Sequence, residues 1–238
     1  MIERFIGHRG AAGYAPENTL ASFQKAYELG CRYIEFDVML SADGDAFVFH
    51  DNALKRTTNG RGEFGLVTTA YIQSLDAGRW FSKAFKNEPI PSLQETIVWL
   101  NAHDMQANIE IKPYPNTMEQ TTLAVLSHIN RYWAQEKPWP LVSSFDLEAL
   151  SLCRSLSPEM PLGLLLEKWQ DNALKIAHDL QCVSVHLNRR AVTADRVAML
   201  KDAGYLVYVY TVNRRRKARK LLKWGVDALF TDYPDLLS

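Results

Sequence analysis

Residues 18–38 read NTLASFQKAYELGCRYIEFDV. Leu20, Phe23 and Tyr27 recur at helical spacing and the run stops at Gly30, so 18–29 is expected to form a helix. The pattern then changes within two residues. From 32 to 38, aromatic and β-branched residues predict a strand. Other strand segments are expected at 4–8, 46–50, 107–112, 140–145, 162–166, 182–187, 206–212 and 228–231. Helical segments lie between most of them. Ser92-Leu93-Gln94-Glu95 is a capping box that opens a helix running to about His103. Thr193 caps a helix ending at Gly204, and Asn213 is expected to cap the last long helix, ending at Gly225.

Counting 46–50 as the hairpin return of the second strand leaves eight β-then-α units. In a chain of 238 residues, that repetition predicts an α/β fold, a (β/α)8 TIM barrel rather than an open sheet. The expectation is a single domain spanning 1–238 with a small insertion after strand 2, at about 52–91. This stretch carries Gly60, Gly62, Gly65, Gly78, Pro89 and Pro91. Its aromatics Trp80, Phe81 and Phe85 are expected to pack the insertion onto the barrel rather than cover a pocket.

With 47% hydrophobic and 23% charged residues, the chain can bury a large core and is not disordered. Lys plus Arg equals Asp plus Glu at 27 each, which gives no reason to expect a nucleic acid or a membrane as partner. The opening Met1-Ile2-Glu3-Arg4-Phe5 has no leader pattern and no apolar run approaches spanning length. Cys31, Cys153 and Cys182 are far apart and expected as buried reduced thiols, so a cytoplasmic location is expected. The oligomeric state is open, a homo-oligomer included.

In a barrel of this class the active site lies at the C-terminal strand ends. There, strand one ends in His8-Arg9, strand two carries Glu35 and Asp37, its return ends in His50-Asp51, and strand three carries Glu110 and Lys112. Alternation puts Glu35 and Asp37 on one face, and Glu110 and Lys112 on one face. A buried salt-bridge network is the competing reading. Three acids against two bases leave a surplus, however, and a hard cation held by three carboxylates accounts for it. Oxygen ligands suit Mg2+ or Ca2+. Histidine exchanges protons near neutral pH, and phosphodiester cleavage needs a proton removed from the attacker and another delivered to the leaving alcohol. Arg9 suits a bidentate phosphate contact and Lys112 a point charge.

Helix-dipole complementarity explains Glu17 as well as catalysis does, while Glu95 is explained by the capping box and Asp232 by the turn before Pro234. His103, His128 and His178 are expected at the surface, while His186 and Asn188 are weaker candidates for the pocket. The basic residues of 214–223 are expected on a solvated outer helix face.

The chain resembles the glycerophosphodiester phosphodiesterases, most of all their short bacterial cytosolic members. The resemblance runs through His8-Arg9-Gly10, Pro16-Glu17-Asn18-Thr19, Glu35-x-Asp37, Phe47-Val48-Phe49-His50-Asp51, Pro91-x-Leu93-x-Glu95 and Asn108-x-Glu110-x-Lys112. It continues through Thr211-Val212-Asn213, Gly225-Val226-Asp227 and Thr231-Asp232-Tyr233-Pro234. The resemblance implies metal-dependent hydrolysis of glycerophosphodiesters to sn-glycerol 3-phosphate and an alcohol. It also implies one divalent cation on Glu35, Asp37 and Glu110, His8 and His50 as the acid–base pair, and Arg9 and Lys112 on the phosphate. The family often has Trp before Thr-Val-Asn; here Tyr210 supplies the aromatic wall of the substrate site. The rival readings are a phosphatidylinositol-specific phospholipase-like phosphodiesterase on the same fold and a non-catalytic phosphate-ligand sensor.

Overall fold

The computed structural model describes residues 4–237; residues 1–3, on which the expectation about a leader falls, and residue 238 lie outside the described residues. Its strands are β1 (Phe5–His8), β2 (Tyr33–Leu40), β3 (Ala46–Val48), β4 (Gln106–Ile111), β5 (Leu141–Ser144), β6 (Leu162–Leu166), β7 (Ser184–Asn188), β8 (Leu206–Tyr210) and β9 (Ala228–Thr231). Each falls on an expected segment. All but β3 pair in parallel, and β1 pairs with both β2 and β9, which closes the barrel. β3 runs antiparallel to β2, with Val38 opposite Val48 and Leu40 opposite Ala46. This is the hairpin return, and it extends one wall of the barrel above the mouth.

The helices are α1 (Leu20–Glu28), α2 (Thr69–Gln73), α3 (Leu93–Ala102), α4 (Met118–Tyr132), α5 (Leu147–Leu156), α6 (Ala173–Asp179), α7 (Ala194–Asp202) and α8 (Arg215–Lys223). Ser92 and Glu95 make the reciprocal capping box of α3, and Thr193 accepts the Arg196 N–H at the start of α7. Two expectations need correction. After β9 the described chain makes a turn, not an eighth barrel helix. Asn213 does not cap α8: Arg214 holds the cap position without a side-chain bond. No helix among the described residues is long and apolar enough to cross a membrane.

Alternation along the strands sorts the core into two layers. Ile34, Phe36, Ile109 and Ile111 point outward and pack beneath the helices, with Phe23 of α1 against Phe36 at 5.7 Å between ring centroids. Burying such a side chain fully is worth roughly 1.5–3 kcal/mol. Ile6, Leu141, Tyr208 and Phe230 point inward and fill the barrel floor. His186 lies among them, fully buried and stacked on Tyr208 at 4.9 Å, with Nε2 2.8 Å from Ser184 Oγ. Gly163 makes room for that ring, since a Cβ there would stand 2.7 Å from His186 Cε1 and Nε2.

The segment 52–91 builds short 3-10 turns, α2 and a small core of its own. Leu54, Phe64, Ile72 and Leu75 pack on Met39, Phe47 and Phe49 of the hairpin. Trp80, Phe81 and Phe85 meet edge to face, Trp80 Nε1 donates to the Ala77 carbonyl at 2.7 Å, and none of the three lines the main cavity. Phe64 is fully buried and stacks on Phe49 at 4.6 Å, next in sequence to His50. Phe64→Ala should therefore destabilise the protein by about 3–5 kcal/mol, as large-to-small aromatic changes in cores do. A denaturant midpoint unchanged from the parent would show that the insertion is not anchored through this ring.

Candidate active site

The barrel mouth holds a cavity of about 490 Å3, and His8, Arg9, Glu35, His50, Glu110, Lys112 and Tyr210 all line it. Asp37 lies just beneath, 1% exposed, against Arg9 and Lys112. The side chains singled out from the sequence thus come together at one place. Strand register does this: His8 is level with Glu35, and Asp37 with Glu110, across the parallel pairs. Two-residue periodicity then puts Glu35 on the same inner face as Asp37.

Carboxylate oxygens of Glu35, Asp37 and Glu110 all lie within 4.8 Å of one another, and all three residues are buried. Burial, then the neighbouring carboxylates, pushes Glu35 well above the usual carboxylate range and Glu110 to about 8. Burial acts the same way on Asp37, but the charges of Arg9 and Lys112 outweigh it and hold that group low. Glu110 Oε1 is buried with no hydrogen-bond partner, and Lys112 Nζ approaches only to 3.8 Å. An orphaned buried oxygen in a cluster where two of the three acids resist ionisation fits a bound cation, and the all-oxygen donor set fits Mg2+ or Ca2+.

Arg9 occupies a left-handed backbone conformation, φ +54°, uncommon for a side-chain-bearing residue. The conformation aims its backbone N–H at Glu35 Oε2, at 3.0 Å. Its guanidinium reaches Glu17 Oε1 at 2.5 Å and Asp37 Oδ2 at 3.3 Å. Lys112 Nζ stands 3.5 Å from Asp37 Oδ1. Asn18, also left-handed, donates to Asp37 Oδ2 at 2.9 Å.

Each histidine is held through Nδ1 by a carboxylate. His8 Nδ1 is 2.7 Å from Asp232 Oδ1, and His50 Nδ1 is 2.5 Å from Asp51 Oδ1. Such anchoring fixes ring orientation and leaves Nε2 for other work. Burial lowers the His50 pKa, reinforced by Arg9 and Lys112 and opposed by Asp37 and the Asp51 bond. The Asp51 carboxyl is held at about 2, because bonds from Arg56 and His50 outweigh its burial.

Several of these partners have roles that local sequence signals do not suggest. Glu17, for which a helix dipole and catalysis are equal readings of the sequence, is a half-buried acceptor for Arg9 and Arg56. Asp232, expected to anchor a turn, orients His8. Asn213, expected as a cap, accepts the Asp232 N–H at 2.9 Å and donates to Asp232 Oδ2, so its amide is engaged away from α8. Arg56, which carries no sequence signal, donates to Asp51 at 2.5 and 2.9 Å and twice to Glu17 at 2.7 Å. Only the adjacency of His50 and Asp51 is visible as a local signal. Asn188 lines the cavity, while His186 lies in the floor below it, where burial drives its pKa down to about 3. His103 and His128 are half-buried and His178 is exposed.

A TIM barrel whose mouth carries an acidic cluster, two cations and two carboxylate-anchored histidines has the makings of a phosphoryl-group hydrolase. Sequence comparison makes the assignment particular. The model of the glycerophosphoryl diester phosphodiesterase family matches residues 8–236, and the chain belongs to that family of hydrolases. It is 35% identical over 249 residues to a glycerophosphodiester phosphodiesterase of Bacillus subtilis, covering 97% of this chain and 84% of that one. It is 34% identical to a glycerophosphodiester phosphodiesterase of Caldanaerobacter subterraneus, covering 98% and 95%. Among solved structures, a phosphodiesterase from Oleispira antarctica in complex with the product sn-glycerol-3-phosphate superposes with a TM-score of 0.95. That protein is 37% identical, with 98% of this chain and 94% of that chain covered.

Proposed function

We propose that this chain hydrolyses glycerophosphodiesters to sn-glycerol 3-phosphate and an alcohol, with one Mg2+ or Ca2+ on Glu35, Asp37 and Glu110. The observation that carries the reading is the meeting of the acidic cluster, Arg9 and Lys112 with two Nδ1-anchored histidines around one cavity of about 490 Å3. When bound, the cation supplies Lewis-acid polarisation and offsets phosphoryl charge. Arg9 and Lys112 hold the phosphate oxygens, and Tyr210 forms part of the wall around the organic groups. One histidine removes the proton of the attacking oxygen, and the other delivers a proton to the departing alcohol. The attacker is water, or the neighbouring hydroxyl of the substrate's glycerol. The second route gives a cyclic phosphate that water then opens, with the histidines exchanging roles.

The deciding assay is release of glycerol 3-phosphate from a panel of glycerophosphodiesters in Mg2+, Ca2+ or chelator. No release from any member in either metal would overturn the reading. We further propose that 1–238 acts as one domain with 52–91 as its insertion. The three cysteines, buried and without a disulfide among the described residues, support a cytoplasmic setting.

Arg56 ties the insertion to this chemistry, because its bonds to Asp51 and Glu17 hold the acceptors of His50 and Arg9. Arg56→Ala should lower kcat about tenfold or more, at the lower edge of acid–base effects, with KM little changed. Arg56→Lys should not restore it, since an ammonium cannot serve both carboxylates in a planar fork. Full activity in either purified variant would show that Arg56 does not position His50.

A further inference from the structure

Beyond β7 and β8 the main cavity adjoins a second hollow of about 410 Å3, lined by Arg189, Arg190, Val212, Asn213, Arg214 and Lys217. Arg189 and Arg190 line both, so the two are neighbours that share a wall. Four of those six residues are cations and none is an acid. None of the four forms an ion pair among the described residues. Arg189 Nη1 donates to the Thr211 carbonyl at 3.0 Å, and Lys217 Nζ sits 5.7 Å from the centre of a Trp224 ring.

This is unlike the other cations of the mouth. Arg9, Arg56 and Lys112 all lie against carboxylates. Total charge is balanced at 27 against 27, yet residues 203–226 contain no Asp or Glu. Burial, then the charges of Lys220 and Arg189, pushes Lys217 toward its neutral form. Like charges crowded without counter-ions cost free energy that an anion recovers. The first turn of α8 has neither an acid nor a side-chain cap, so its backbone N–H groups add donors beside Arg214 and Lys217. Glu167, the carboxylate on this side of the mouth, accepts from Asn188 Nδ2 at 2.8 Å and from Tyr210 at 3.2 Å.

We infer that the hollow is a subsite for a second anionic group, a phosphate or a carboxylate, carried by the alcohol portion of the substrate. This rests on the proposed reaction at the adjoining site. With the scissile phosphate on Arg9 and Lys112, the alcohol portion runs across the mouth to Arg189 and Arg190. Its far charge then reaches Arg214 and Lys217. The enzyme is thereby matched to doubly anionic diesters over those with neutral alcohols.

The test compares kcat/KM for glycerol 3-phosphate release from three diesters at low salt. They are glycerophosphoglycerol, the same compound with a phosphate monoester on the far glycerol, and glycerophosphoglycerate. The expectation is at least about a tenfold preference for one or both anionic substrates, within the range of electrostatic steering and shrinking as salt is added. The phosphate and carboxylate arms identify which anion fits. The double variant Arg214→Ser, Lys217→Ser, at positions outside the main cavity lining, should lose the preference and keep the glycerophosphoglycerol rate. Equal kcat/KM across the three substrates, or a preference that survives the double substitution, overturns the inference. Absence of turnover on all three substrates in either metal would instead strike the proposed reaction itself.

Discussion

Alanine at His50 is expected to lower kcat by about 10^2 to 10^4-fold, the usual contribution of a positioned acid or base. His8→Ala should act alike. Both rings sit in the cavity wall rather than in the packed floor, with side chains 28% and 18% exposed. Their removal takes away proton transfer without emptying an apolar site, so the unfolding midpoint should change little. The anchoring carboxylates keep other partners: Asp51 retains Arg56, and Asp232 retains Asn213. The double variant should lose little more than the worse single variant, because groups that act as a unit are not additive. Near-normal turnover in either single variant would remove that histidine from the reaction.

The second large effect is on the acidic cluster. Stripping divalent ions should abolish turnover, and Mg2+ or Ca2+ should restore it. Glu110→Gln should reduce kcat/KM by about 10^2-fold or more, comparable to losing a main electrostatic element of a site. A readout independent of turnover is available. A cation that binds only the folded chain stabilises it by about 2.7 kcal/mol at a hundred times Kd, so the parent midpoint should rise with added ion. Glu35→Gln, Glu110→Gln should abolish that rise, because two of the three gathered carboxylates are gone. Activity that persists in excess chelator, together with a midpoint indifferent to Mg2+ and Ca2+, would leave the cluster as an ion-pair network with Arg9 and Lys112.

Much of the site is legible in the amino-acid sequence because strand geometry is a short-range rule. Glu35 and Asp37 are two residues apart, and so are Glu110 and Lys112; a period of two puts each pair on one face wherever the strand lies. His8 and His50 end apolar strand runs, which places them at the barrel mouth once the barrel is granted. Capping at Ser92 and Thr193 is legible for the same reason, since a cap depends on three or four neighbouring residues. Asn213 shows the limit of such rules. Its type and place suit a cap, but closure of β8 against β9 brings Asp232 to it, and two bonds there displace the local one.

The amino-acid sequence by itself determined the barrel, the strand ends that form its mouth, and the eight residues that gather there. All of these follow from periodicities and turn signals that act within a few positions. Only the tertiary structure decided which polar groups meet: Arg56 with Glu17 and Asp51, Asp232 with His8, Asn18 with Asp37. The same holds for the hollow that Arg189 and Arg190 share with Arg214 and Lys217. The reason is physical. A charge or hydrogen bond acts over a few ångströms of space, and barrel closure brings residues 39 or 224 positions apart to that range. No spacing along the chain encodes it.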